Sequence, residues 1–195
     1  MQSDSVPRDR ATIDISDLFR RYFVNTIFDS TFVVLGILAA TSAEPEPSVD
    51  FALGTLFAAC LAIGISTGVS VYEAEHTEDQ IRVRRIERAM LKSLEDTGIP
   101  RSLRMSRYAT SLVNFVAPLF VALVTSLPLL MFQARLLTEF SVAAGASSGL
   151  GILIIFASGY YLGKLSGRRP WKKAARMTLV ALLTFGVLLA IEHLL

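Results

Sequence analysis

Hydrophobic residues fall into five runs along this chain, each about 20 residues long and almost free of charge. The runs cover residues 22–40, 51–72, 108–132, 140–163 and 177–191. At 1.5 Å per residue, a helix of roughly 20 residues crosses the ~30 Å hydrocarbon core of a bilayer. The pattern therefore predicts an all-α integral membrane protein with five transmembrane helices.

The fourth run is the least uniform, because small residues interrupt it: Gly145, Ser147, Ser148, Gly149 and Gly151. Small residues let membrane helices approach each other closely, so we expect one continuous, packed helix. The alternative is a break that leaves backbone groups to line a cavity.

Composition agrees with a membrane protein. Charged residues make up 18% of the chain, against about 25% in typical soluble domains, and the mean hydropathy is +0.51. The single cysteine, Cys60, excludes an intrachain disulfide and any CxxC motif.

Basic residues are distributed unequally among the segments between the runs. All but one of the 19 Lys and Arg residues fall in the N-terminal segment, between runs two and three, or between runs four and five. The exception, Arg135, lies between runs three and four, and the C-terminal tail has none. Positively charged loops stay in the cytoplasm, which predicts a cytoplasmic N-terminus and an outside C-terminus. The chain then divides into a cytoplasmic segment (1–21), helices one and two (22–72), a short charged cytoplasmic helical hairpin (73–107) and helices three to five (108–195).

Residues 13–20, before the first run, alternate between apolar and polar side chains. Two interpretations remain open: a short amphipathic helix on the cytoplasmic surface, capped by Asp14 or Ser16, or a disordered tail. The N-terminal segment is polar and mixed in charge, unlike a cleaved signal, so we expect the whole chain to be retained.

One acid, Asp29, lies within the first run, roughly 10 Å from its cytoplasmic end by helical rise. A charge at the centre of a span costs at least ~2.5–3.5 kcal/mol, and such acids usually face a bundle interior or a water-filled path. No run contains a Lys or Arg to pair with it. Asn25 shares its helix face and Ser30 is adjacent. We expect Asp29 to be protonated, hydrated or bound to a cation; a protonated acid bonded to a neighbouring group is the structural alternative.

The second run contains two further candidates, Cys60 and Thr67. Cys60 is soft enough to contact a transition metal, or else it is a small apolar filler. Gly64 begins a GxxxG motif, which indicates helix contact. In the third run, Asn114 and Pro118 predict a bent helix with a polar spot.

Directly after the second run come four candidate metal ligands: Glu75, His76, Glu78 and Asp79. If the helix continues, spacings of three and four residues place them on neighbouring faces. Mixed oxygen and nitrogen ligands suit Mn²⁺ or Fe²⁺. The alternative is a solvated helix face whose acids pair with the nearby basic residues, Arg82, Arg84 and Arg85.

Enzyme signatures are absent from the sequence: it has no GxSxG, HExxH, P-loop or dinucleotide fingerprint. We expect no enzymatic activity and no permanently bound cofactor. Topology and anionic lipid explain the basic residues better than nucleic acid does, so no nucleic-acid partner is expected.

Four segments together resemble the vacuolar iron transporter (VIT) family. Residues 21–31 (RYFVNTIFDST) look like its first helix, and residues 64–72 (GISTGVSVY) look like its second-helix stretch ending in Tyr. The charged helix that follows corresponds to its cytoplasmic segment, and residues 162–170 (LGKLSGRRP) are similar to its loop before the last helix.

The resemblance implies a five-helix homodimer that exports Fe²⁺, and often Mn²⁺, from the cytosol in exchange for protons. The family's ion path runs between the protomers, along helices one and two. Asp29 would then be the metal and proton site, with Asn25, Ser30, Cys60 and Thr67 along the path. The cluster of Glu75, His76, Glu78 and Asp79 would stand at the entrance.

The sequence departs from the family at three positions: Ser30 replaces the glycine of an Asp-Gly pair, Thr67 replaces a methionine, and Ala59 replaces a glutamate. Its charged segment is also shorter. These changes weaken the expectation of iron selectivity more than that of the fold. A non-transporting scaffold of the same fold and a transporter of another solute remain alternatives. The lack of a sorting extension favours a prokaryotic plasma membrane.

Overall fold

The computed structural model describes residues 15–91, 99–167 and 169–194, with all their side chains except those of residues 15–21, 99–102, 192 and 193. These residues form five α-helices: α1 (Ile15–Ala43), α2 (Val49–Met90), α3 (Ile99–Gln133), α4 (Phe140–Leu165) and α5 (Pro170–Leu194). Residues 44–48 join α1 to α2 and residues 134–139 join α3 to α4, and the described ranges contain no strand.

Each helix includes a stretch long and apolar enough to cross a membrane: Tyr22–Ala43, Val49–Met90, Leu103–Gln133, Phe140–Leu165 and Pro170–Ile191. The prediction of an all-helical fold with five such helices is confirmed, and by this criterion the chain is a multi-pass membrane protein. The fourth helix is continuous through its small residues.

α1 begins at Ile15 and continues without interruption into its apolar stretch. Residues 15–20 are thus helical, but they form the beginning of α1 and not a separate helix. Ile13 and Asp14, which belong to the same predicted segment, lie outside the described residues.

α1 is the central helix of the bundle. It packs against all four other helices, which contact one another in chain order, α2 with α3, α3 with α4, and α4 with α5. The outer helices therefore form an arc around α1, and one face of α1 is left open between α2 and α5. The opposite side of α1 supplies the core, where Val34, Leu35 and Leu38 are at most 1% exposed.

Close helix contacts occur where glycine removes the side chain. A Cβ atom on Gly64 of α2 would lie 2.6 Å from the backbone oxygen of Phe115 on α3. A Cβ atom on Gly163 of α4 would lie 2.5 Å from the Cα atom of Pro170 on α5. Since backbone atoms cannot move aside as side chains can, these glycines set the α2–α3 and α4–α5 distances.

α2 has 42 residues and is therefore about 63 Å long, twice the thickness of a hydrocarbon core. It begins at a Ser48 cap, where the hydroxyl accepts a 3.3 Å hydrogen bond from the backbone N–H of Phe51. Beyond Tyr72 it carries the charged residues as far as Met90 and ends at Leu91, in left-handed backbone (φ 50°). Tyr108 of α3 packs on Tyr72 at 5.3 Å between ring centroids, so both helices leave the apolar region side by side.

Candidate functional site

Asp29 lies on the open face of α1. Asn25, Asp29 and Val33 are all exposed, at the four-residue spacing of one helical ridge. The Asn25 side-chain amide donates a 3.1 Å hydrogen bond to Oδ2 of Asp29. Both polar groups therefore point out of the bundle, and Asp29 lies about 10 Å from the start of the apolar stretch at Tyr22.

Ser30, predicted to lie beside Asp29 on the path, faces the other way. It is fully buried, and its hydroxyl donates a 2.7 Å hydrogen bond to the backbone oxygen of Thr26. The next residue, Thr31, is also buried and donates to the backbone oxygen of Ile27. A helix turns about 100° per residue, so neighbours of Asp29 in sequence need not share its surroundings.

A second polar group inside the apolar region is Asn114 of α3, which is fully buried. Its side-chain oxygen accepts a 2.8 Å hydrogen bond from the Thr26 hydroxyl on α1, and its amide donates at 2.8 Å to the backbone oxygen of Thr110. Asn114 is therefore satisfied within the chain and joins α1 to α3.

Thr67 of α2 contacts α3 beside Asn114, and the reason is Pro118. Proline has no N–H, so the backbone oxygen of Asn114, four residues earlier, lacks its usual helical donor. The Thr67 hydroxyl of α2 lies 3.2 Å from that oxygen and 2.8 Å from the backbone oxygen of Ile63. Thr67, a predicted path residue, is thus a contact between α2 and α3. The spacing of Asn114 and Pro118 was the sequence signal for this junction.

Cys60 is fully buried in the apolar core, in the same cluster as Leu56, Ala117 and Val121. Its surroundings are those of the small apolar filler that was the alternative to a path residue. Within one chain, the structure brings Asp29 together with Asn25 but not with Ser30, Cys60 or Thr67.

A separate cluster surrounds Arg107 of α3, which is only 8% exposed. Nη1 of Arg107 contacts Nδ1 of His76 and lies 3.6 Å from Oδ2 of Asp79. Its guanidinium carbon sits 4.9 Å from the ring centre of Tyr72. Arginine only donates, so Nδ1 of His76 is the acceptor in this contact. Arg107, 28 residues beyond Asp79, is the basic partner that the neighbouring arginines were expected to supply.

The four predicted entrance ligands do not converge within the described part of the chain. His76 and Asp79 face Arg107, Glu75 is 8% exposed, and Glu78 is exposed. No group of three or more His, Cys, Asp or Glu side chains among the described residues is placed to hold a metal ion. Burial raises the pKa of the Asp79 carboxyl above its usual range, and Arg107 offsets part of this rise.

An open groove of about 450 Å³ lies at the opposite end of the bundle from the Arg107 cluster. The start of α2, the end of α3 and the turn after it line this groove, where Gln133 donates a 2.7 Å hydrogen bond to Oδ1 of Asp50. Asp29 is not among its lining residues.

Comparison of the chain with models of known protein families, with curated proteins and with solved structures gave no match.

Proposed function

We propose that this protein is an exporter of divalent transition metals, Fe²⁺ or Mn²⁺, which exchanges them for protons and works as a homodimer. The observation that carries the proposal is the outward position of Asp29, a carboxyl group in the apolar part of α1 with only an amide, Asn25, as its hydrogen-bond partner among the described contacts. An ionised carboxyl facing lipid there would cost at least ~2.5–3.5 kcal/mol.

A second copy of the chain offers the cover that Asp29 lacks. Two copies related by a two-fold axis along the open face of α1 would bring both Asp29 carboxyls to that axis and away from lipid. Carboxylates are suitable ligands for Mn²⁺ and related hard cations, and a carboxylate exchanges a metal for a proton. The resemblance to VIT proteins supports the same arrangement.

The basic segments favour an orientation with the N-terminus and the Arg107 cluster in the cytoplasm. In this orientation His76 and Asp79 stand at the cytoplasmic mouth, and metal moves outward past Asp29. A prokaryotic plasma membrane is the proposed location.

Transport into proteoliposomes tests the function. Vesicles carrying an outwardly or inwardly directed pH gradient receive Fe²⁺, Mn²⁺, Co²⁺ or Zn²⁺, and initial uptake is compared for the wild type and Asp29→Asn. We expect the substitution to lower uptake at least about tenfold, because the amide cannot exchange a proton for a metal. Asp50→Asn is the matched control, since Asp50 is an exposed acid at the far end of α2. Equal uptake by wild type and Asp29→Asn would refute the assigned site.

Disulfide cross-linking tests the dimer independently of transport. Cys60 is the only cysteine, so Cys60→Ala gives a cysteine-free chain in which Asp29→Cys is the single thiol. Oxidation in membranes should join two chains through this position, whereas a thiol at Leu183, on the exposed face of α5, should remain monomeric. If the Asp29→Cys chain remains monomeric, the proposed ion path along the two-fold axis is wrong.

A non-transporting scaffold is the second candidate. It is favoured by the absence, among the described residues, of three converging metal ligands in one chain and by the inward positions of Thr67 and Cys60. A scaffold would form the Asp29→Cys cross-link but would move none of the four metals.

A further inference from the structure

The turn between α4 and α5, together with the first helical turns of α5, forms a basic surface that the transport proposal does not use. We call residues 164–176 the α4–α5 corner. Its described basic side chains are Lys164, Arg169, Lys172, Lys173 and Arg176, and all are exposed except Lys173, which is partly buried. The corner includes the end of one apolar helix, Phe140–Leu165, and the beginning of the next, Pro170–Ile191.

No carboxylate in the neighbouring sequence balances this charge. The chain contains no Asp or Glu between Glu139 and Glu192, and the first turn of α5 has no acid. Like charges three and four residues apart on one helix repel, and basic side chains at a helix N-terminus oppose its dipole. The basic side chains of the corner therefore repel one another, and no acid in the same stretch of chain offsets this repulsion.

The charged part of α2 shows the contrast. There Arg82, Arg84 and Arg85 lie between acids of the same helix, Asp79 before them and Glu87 after them, and buried Arg107 lies against Asp79. Both regions satisfy the rule that cytoplasmic segments are basic, but only the α4–α5 corner lacks acids of its own.

Trp171 provides an aromatic anchor at this corner. Its indole is 64% exposed, and it packs on Phe156 at 5.7 Å and on Tyr160 at 5.4 Å between ring centroids. Such exposed aromatic rings are typical of the headgroup level of a bilayer. The tight contact of Gly163 with Pro170 fixes the two helix ends relative to each other, so the anchor and the basic residues keep one arrangement.

The register of α5 matches the shape of a phospholipid. Lys172, Arg176, Leu179 and Leu183 follow one another at spacings of four, three and four residues, and all four are exposed. Such spacing places them on one helix face. Two cations near the boundary are thus followed by two apolar side chains deeper in the membrane, in the order of a phosphate headgroup and its acyl chain.

We propose that the α4–α5 corner binds an anionic phospholipid of the surrounding bilayer, with Arg169, Lys172 and Arg176 on the headgroup phosphate and Leu179 and Leu183 along an acyl chain. The binding is independent of the metal path. Basic pockets at the cytoplasmic ends of membrane helices recognise such headgroups through charge.

Trp171 is the only tryptophan of the chain, so tryptophan fluorescence reports on this corner alone. The full chain is placed in phosphatidylcholine vesicles in which a fraction of the lipid is replaced by brominated phosphatidylglycerol or, separately, brominated phosphatidylcholine. We expect brominated phosphatidylglycerol to quench Trp171 with a binding constant roughly fivefold higher than that of brominated phosphatidylcholine. Equal quenching by the two lipids would overturn the proposal.

Two variants localise the effect. Arg169→Gln/Lys172→Gln should bring the ratio of the two binding constants close to one. Arg84→Gln/Arg85→Gln, which removes two charges from α2, should leave that ratio unchanged. Equal loss in both variants would show a general surface potential and overturn the site. If the first variant does not insert, the single substitutions Arg169→Gln and Arg84→Gln take the place of the pairs, and only Arg169→Gln should lower the ratio. Soluble glycerol phosphate should leave the quenching unchanged; competition by it would assign the site to free phosphate instead of lipid.

Discussion

Two polar groups inside apolar helices, Asn114 and Asp29, have opposite surroundings. Asn114 is fully buried, and its side-chain hydrogen bonds end on α1 and on its own helix. Asp29 is exposed, with the Asn25 amide as its hydrogen-bond partner. A polar group whose bonds are completed inside the chain holds helices together, while one turned outward needs water, a proton, a cation or another chain. Asn114 is therefore structural, whereas the hydrogen bond from Asn25 leaves Asp29 open to a partner from outside the chain.

The largest effect on stability should come from Asn114→Ala. The substitution removes the α1–α3 hydrogen bond and leaves the buried Thr26 hydroxyl without this partner. We expect the free energy of unfolding in mixed detergent micelles to fall by about 2 kcal/mol, from one interhelical bond and the unpaired groups together. Asn25→Ala is the control and should change it by less than about 0.5 kcal/mol, as is usual for exposed positions. A similar loss in both variants would mean that the buried Asn114 contributes no more to stability than the exposed Asn25.

Gly64→Ala should cause the next largest loss of stability. Its Cβ atom would meet the backbone oxygen of Phe115 at 2.6 Å and push α2 away from α3. We expect a loss of about 1–2 kcal/mol, which is typical of overpacking a tight contact. Gly54→Ala has nothing within 4 Å of its new Cβ atom and should be neutral or slightly stabilising. The same micelle titration measures both, and unchanged stability in Gly64→Ala would mean that the two helices separate easily.

Arg107→Gln should have a smaller effect. The substitution removes the contact with the Tyr72 ring and the charge opposite Asp79. Because Arg107 is only 8% exposed, we expect a loss of about 1 kcal/mol in the free energy of unfolding. Arg88→Gln, an exposed position on α2, is the control. Equal effects would mean that burial adds nothing to the Arg107 contacts.

Asp29→Asn should have the smallest effect on stability and the largest on transport. The outward carboxyl makes one exposed hydrogen bond, with the Asn25 amide, so the unfolding free energy of the monomer in detergent should change by less than about 0.5 kcal/mol. Thermal unfolding in detergent measures the stability, and the proteoliposome assay measures transport. A loss of stability comparable to that of Asn114→Ala would make Asp29 structural.

Much of the candidate site lay beyond sequence reasoning. The four-residue spacing of Asn25 and Asp29 was enough to place them together, because helical periodicity is local. Ser30, Cys60 and Thr67 were predicted to lie along the path, but Ser30 and Cys60 are buried in the bundle and Thr67 reaches the Asn114 carbonyl on α3. The sequence left open whether the acids after the second run pair with Arg82, Arg84 and Arg85, and the ion pair that the structure describes joins Asp79 to Arg107 of α3.

The sequence by itself determined the five apolar helices and their connections, because the bilayer requires about 20 apolar residues per crossing and leaves few alternatives to a helix. It also determined which residues share a helix face. Only the tertiary structure decided which face of α1 is turned outward, that Arg107 lies against His76 and Asp79, and that Pro118 exposes a carbonyl to Thr67. These outcomes depend on how each helix is rotated about its axis, and small-residue contacts between helices distant in sequence fix that rotation.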